Sequence, residues 1–144
     1  MAGRAIGPVG VAFDTSGRIY PGAHSGAGGR LVQAEVKVES SLGADATAYL
    51  VFGPFPSLPS GTLKLLLTAL ANATTGVAKV NPKWASVAAS ENPDSATLNA
   101  EGTTTVTWST GDNDKFIETK ITLDADTLVA GEYLYMTLVF ETTG

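Results

Sequence analysis

The chain reads as an all-β protein, an antiparallel sandwich or barrel preceded by an extended N-terminal arm. Three features carry that reading. Apolar residues recur with period two along several segments, turn residues separate those segments at short intervals, and half of the sixteen glycines fall in the first thirty of 144 residues. Period two is the signature of a strand with one buried and one wet face, and short strands between turns build sandwiches and barrels.

Residues 1–30 form the arm. They carry Arg4, Arg18 and Arg30 against the single acid Asp14, whereas residues 31–144 carry six lysines, no arginine and thirteen acids. The arm is thus formally +2 and the body −7, which together give the −5 of the whole chain. Apolar residues in the arm are scattered between Gly and Pro breakers, so it needs a partner surface rather than a core of its own. Thirty residues at about 3.3 Å each reach roughly 100 Å, whereas a body of this size has a radius of gyration of about 13 Å. An extended arm is therefore long enough to cross a neighbouring subunit. Val9, Val11 and Phe13 alternate, Asp14 to Gly17 reads as a turn, and Arg18-Ile19-Tyr20 is expected to return as the second strand of a hairpin that is marginal alone. Arg4, Phe13, Arg18, Tyr20 and Arg30 are the candidate partner-binding residues. Guanidinium groups make forked, partly desolvated contacts with carboxylates that lysine cannot match.

The body, residues 31–144, is one domain with one expected core. Val32, Ala34, Val36 and Val38 alternate with Gln33, Glu35 and Lys37, the strongest strand signal in the chain. Ala48, Leu50 and Phe52 form a second strand, Val106 and Trp108 a third, and Ile117, Thr119, Ile121 and Leu123 a fourth. Leu134, Met136, Leu138 and Phe140 alternate with Tyr133, Tyr135, Thr137 and Val139, so this last strand is apolar on both faces and expected to be central or at a subunit contact. Residues 62–72 fit a strand through Leu63, Leu65 and Leu67, yet Leu63, Leu66, Leu67 and Leu70 also fit a helical stripe capped by Thr62, and periodicity leaves both open. Residues 77–89 read as a strand around Trp84, with Pro82 requiring an edge or a bulge.

Chemistry is thinly represented. The chain has no cysteine, which excludes disulfides and thiolate zinc sites. Gly7, Pro8 and Gly10 interrupt any secretory apolar run, and no stretch approaches the ~20 apolar residues of a membrane helix. The chain therefore reads as made in a cytoplasm. The one histidine, His24, sits in Pro-Gly-Ala-His-Ser-Gly without the surroundings a catalytic imidazole needs. Asp112 with Asp114, and Asp124 with Asp126, read as turn residues rather than glycosidase pairs. Gly111 to Asp114 offers hard oxygen ligands for calcium but lacks the EF-hand glycine and glutamate. Gly26 to Arg30 lacks the strand, helix and Lys-Ser/Thr of a phosphate loop. An acidic body repels nucleic acid. Trp84, Trp108, Tyr133 and Tyr135 are candidate sugar-stacking aromatics, with core packing the expected role of Trp108. No catalytic, cofactor or metal site is expected.

Gly61-Thr62-Leu63-Lys64-Leu65, the mid-strand Trp84, and Leu128-Val129-Ala130-Gly131-Glu132-Tyr133-Leu134 ahead of the final strand make residues 61–141 resemble the jelly-roll domain of tailed-bacteriophage virion proteins. The resemblance implies a jelly-roll-like β-sandwich and favours strand for residues 62–72. It also implies a structural protein of the virion without enzymatic activity, a capsid decoration or cement protein. The implied partners are the major capsid protein and other copies of the chain, as a homotrimer, on the capsid surface. The alternative within the same resemblance is a tail-fibre or receptor-binding module that binds carbohydrate.

Overall fold

A computed structural model of the chain describes residues 8–13, 19–25, 31–38, 45–58, 62–70, 76–109 and 115–141. Among these residues the strands are β1 (Gly10–Phe13), β2 (Ile19–Ser25), β3 (Leu31–Val38), β4 (Ala46–Phe52), β5 (Lys64–Leu70), β6 (Gly76–Val87), β7 (Asn99–Ala100), β8 (Thr104–Trp108), β9 (Phe116–Thr122) and β10 (Tyr133–Glu141), with one 3-10 turn at Pro93–Ser95. The main sheet runs β1, β4, β10, β6, and both β7 and β8 pair with the far side of β6. β5 pairs with β9 and β2 pairs with β3, every ladder antiparallel. The protein is an all-β antiparallel sandwich.

Register explains the core. Leu50 lies opposite Met136 and Met136 opposite Trp84, so one row crosses three strands on a single face. The next rows on that face are Ala48, Leu138, Pro82 and Ala46, Phe140, Val80. Leu65 and Ile121, paired across β5 and β9, join Leu123, Leu128 and Phe55 in closing over these rows as the second layer. Met136 is fully buried and Trp84 is 1% exposed. Burial of side chains of this size contributes about 1.5–3 kcal/mol each.

β10 is flanked by β4 and β6 along its whole length, which accounts for its apolar character on both faces: Leu134, Met136 and Leu138 face the core, and Thr137 on the other face is also buried. Residues 64–70 are a strand, with Leu65 buried and Leu66 exposed in strict alternation. The helical stripe loses because every residue from Lys64 to Leu70 finds a backbone partner on β9.

Pro82 sits inside the sheet, opposite Leu138, and the expected irregularity lies in its other neighbour. Ala100 faces Lys83, whereas Thr104 faces Val80, so β7 and β8 are one interrupted strand carrying an extra residue between them, a β-bulge. The Pro82 carbonyl accepts from the Glu101 N–H at 2.9 Å, placing the proline nitrogen on the bulged side. The missing N–H therefore falls where the ladder is already broken. Gly102, at φ +94°, supplies the backbone conformation of the bulge.

The arm does not form the hairpin expected from its own alternation. β1 pairs with β4 from the body, and β2 pairs with β3 across residue 30. Pairing with β4 gives β1 a place on an existing sheet, where a two-stranded hairpin has none.

Candidate functional site

β1 forms an edge of the main sheet. The Val9 N–H donates to the Val51 carbonyl at 2.7 Å, and the ladder continues from Gly10 opposite Val51 to Phe13 opposite Ala48. Val11 shares the core-side face with Leu50, yet it is 47% exposed, and Val9 is 67% exposed. From Pro8 to Phe13 the edge has no charged residue. Charge is one protection of a sheet edge against further pairing, and short length and proline are others; β1 lacks charge but is four residues long and follows Pro8, and it has no second strand partner among the described residues.

Of the five candidate arm residues, the backbones of Phe13 and Tyr20 fall among the described residues. Phe13 lies in β1 opposite Ala48 and Tyr20 in β2 opposite Lys37, on separate ladders. The side chains of Phe13 and Tyr20, and the whole of Arg4, Arg18 and Arg30, lie outside the described residues. So do Asp112, Asp114 and the phosphate-loop-like Gly26 to Arg30, and so does the Trp108 side chain. His24 lies in β2 opposite Gln33.

One polar constellation among the described residues is one that local reading of the sequence missed. The Trp84 indole N–H donates to Glu101 Oε1 at 2.7 Å, and the Ala125 amide donates to the same oxygen at 2.8 Å. Burial pushes the Glu101 carboxyl up. The bonds from the Ala125 amide and the Trp84 indole, and contacts with Asp124, outweigh it and hold the group below the ordinary glutamate value. A second tie runs beside it: Ser86 Oγ donates to Glu132 Oε2 at 2.6 Å and accepts from the Val129 amide at 3.0 Å. Both carboxylates pin the loop between β9 and β10 to the end of β6. No local pattern signals them, because Trp84 and Glu101 meet only through the β6–β7 ladder.

Two clefts open around this loop. One, of about 410 Å³, is lined by Ser86, Glu91, Asn92, Ser95 and Asp126 among others, and the other, of about 300 Å³, by Leu58, Leu63, Trp84, Asp124, Asp126 and Leu128 among others. Asp126 Oδ1 accepts from the Thr127 amide at 2.7 Å, the turn role expected of it. Among the described residues, no group of three or more His, Cys, Asp or Glu is placed to hold a metal ion, and no helix is long and apolar enough to cross a membrane. Trp84 is buried with its N–H engaged by Glu101, so it offers no face for stacking a sugar. Tyr133 and Tyr135 are half-buried on the opposite face of the sheet. Burial, with the charge of Asp94 and then Tyr49 adding to it, raises the Tyr135 hydroxyl above the ordinary tyrosine value.

Comparison with family models, curated proteins and solved structures found no match to this chain.

Proposed function

We propose that the chain is a bacteriophage virion structural protein that decorates or cements the head, binding without chemistry. The observation that carries this reading is the uncharged edge strand β1, with Val9 and Val11 exposed at the border of the main sheet. An edge of this kind recruits a strand or an apolar surface from a neighbour. The charge division adds to it, since a basic arm suits the acidic body of another subunit.

In this reading the sandwich has jelly-roll-like connectivity, and three copies associate about an axis on the capsid surface. The arm reaches the major capsid protein or the next copy, and many weak contacts over a symmetric lattice sum to firm attachment. Fibre or receptor binding through a glycan remains the alternative in kind, but the burial of Trp84 removes one of its stacking surfaces.

Immunogold labelling of purified particles tests the proposal. Label spread over the head surface is the expected result. Label confined to the tail, or absent from the particle, overturns it.

A further inference from the structure

The smaller of the two clefts joins an apolar wall to an acidic one. Leu63, Leu123 and Leu128 line it, and so does Leu58, which is 49% exposed and brings the cleft to the surface. Asp124 and Asp126 supply its carboxylates, with Thr62 and Thr127 exposed beside them. No lysine or arginine is among the described residues that line it. Lys64, next to Leu63 in the chain, pairs with Thr122 on the outward face of the β5–β9 ladder, whereas Leu65 and Ile121 face the core.

Both walls are fixed by bonds within the chain. Ala125 stands between the two aspartates, and its amide is the one that donates to Glu101 Oε1 at 2.8 Å. Asp126 Oδ1 holds the Thr127 amide, and the Leu123 amide donates to the Leu63 carbonyl at 2.9 Å, which ties the apolar wall to the acidic loop. A site already ordered in this way spends less of its binding energy on ordering. Asp124 also touches Glu101, and carboxylates in contact repel each other, a repulsion that a cation relieves. An apolar wall beside two carboxylates fits an apolar stem that ends in a cation. Arginine suits this better than lysine, because guanidinium is more weakly hydrated and its fork reaches two oxygens at once.

We propose that this cleft receives an arginine side chain from another protein, with the methylene stem against Leu58, Leu63 and Leu128 and the guanidinium at Asp124 and Asp126. Charge complementarity selects that occupant. An anion is repelled, an uncharged chain leaves the carboxylates unpaired, and a bare cation leaves the leucines in water. Exposure of Leu58, Thr62 and Thr127 puts the cleft within reach of a side chain that stands out from a second protein. None of its described lining residues belongs to β1 or β4, so this contact is separate from the edge strand.

Binding is read from the amide chemical shifts of the full chain during titration with the capped peptide acetyl-Gly-Arg-Gly-amide. Saturable shifts are expected at Leu63, Asp124, Ala125 and Thr127. The same peptide with citrulline in place of arginine keeps the stem and loses the charge, and it is expected to leave those amides unmoved. Asp124→Asn/Asp126→Asn retains the oxygen that holds the Thr127 amide and should weaken binding about fivefold or more, as loss of two solvent-facing charge contacts does. Leu58→Ser should weaken it as well. Glu91→Gln, whose side chain lines the neighbouring cleft, should leave it unchanged. The proposal is overturned if the arginine peptide gives no saturable shift, if the citrulline peptide binds equally, or if Glu91→Gln weakens binding as much as the aspartate double variant. An Arg4→Gln/Arg18→Gln/Arg30→Gln variant tests the source of the arginine. If its cleft amides differ from those of the wild type before any peptide is added, the chain's own arm is the occupant, and the assignment to another protein is overturned. The assay uses free protein, so its result is independent of the virion reading.

Discussion

Glu101 shows how one side chain fastens separate parts of this fold. Its carboxylate receives the Trp84 indole N–H and the Ala125 amide, joining the core row of β6 to the loop before β10. Truncation leaves the donor of a nearly fully buried tryptophan without a partner, and an unsatisfied buried donor costs about 1–3 kcal/mol. Glu101→Ala is expected to lose that much in a urea titration, and to lose clearly less in a Trp84→Phe background, where the donor is gone. Equal losses in both backgrounds would mean that the bond to tryptophan contributes nothing. The pH dependence has a definite sign. Because the folded carboxyl lies below its ordinary value, its contribution is present above the unfolded glutamate value and is lost as pH falls through the folded one. Glu101→Gln should therefore flatten the acid limb of the stability curve, and an unchanged limb would assign that limb to other carboxylates.

At the level of the strand, Pro82 and Gly102 act as a pair. Proline removes a donor from an interior strand, and the facing strand is bulged at that place, with Gly102 at φ +94°. A Cβ on Gly102 would meet nothing within 4 Å, so only its backbone conformation opposes substitution. Gly102→Ala is expected to cost about 1 kcal/mol from that conformation alone, read as a shift of the denaturation midpoint. Gly10→Ala is the control, since its Cβ would make an ordinary 3.9 Å contact with Val51 and its φ is not positive. If the two variants behave alike, the positive φ at Gly102 is not required. Gly53 is more constrained, at φ +110° with a Cβ position 2.9 Å from the Phe55 ring, so a side chain there forces Phe55 out of the core.

For the molecule as a whole, the core can be traced through the residues whose side chains are described. Among them, the core cluster draws on β4, β5, β6, β9, β10 and the loops that Phe55 and Leu128 anchor. β1 adds backbone pairing at the edge but leaves Val9 and Val11 largely in water. Removal of residues 1–38 is accordingly expected to lower the melting midpoint while leaving a single cooperative transition and a β-type circular dichroism spectrum. Self-association, measured by sedimentation, is expected to fall at the same time. A broad, non-cooperative melt would show that the N-terminal strands belong to the core.

Strand type was legible wherever alternation was clean, as in β3, β4, β9 and β10, because the direction of successive side chains is a local property of an extended backbone. The two apolar faces of β10 pointed to a central place or a subunit contact, and its ladders to β4 and β6 give the central place. Composition marked a change of charge at residue 30, a point that the β2–β3 ladder crosses. Partner choice was not legible. The arm's alternation marks β1 as a strand, yet nothing local says that it pairs with β4 rather than with β2, since pairing depends on which edge is free after the core has closed. Residues 62–72 carried both a strand and a helix pattern, and the ladder to β9 decided between them for Lys64–Leu70. The Glu101–Trp84 bond needed the same kind of information, because only the β6–β7 register brings those side chains together. Periodicity is written residue by residue, whereas register is settled by the burial of surfaces far apart in the chain, and that is a property of the assembled fold alone.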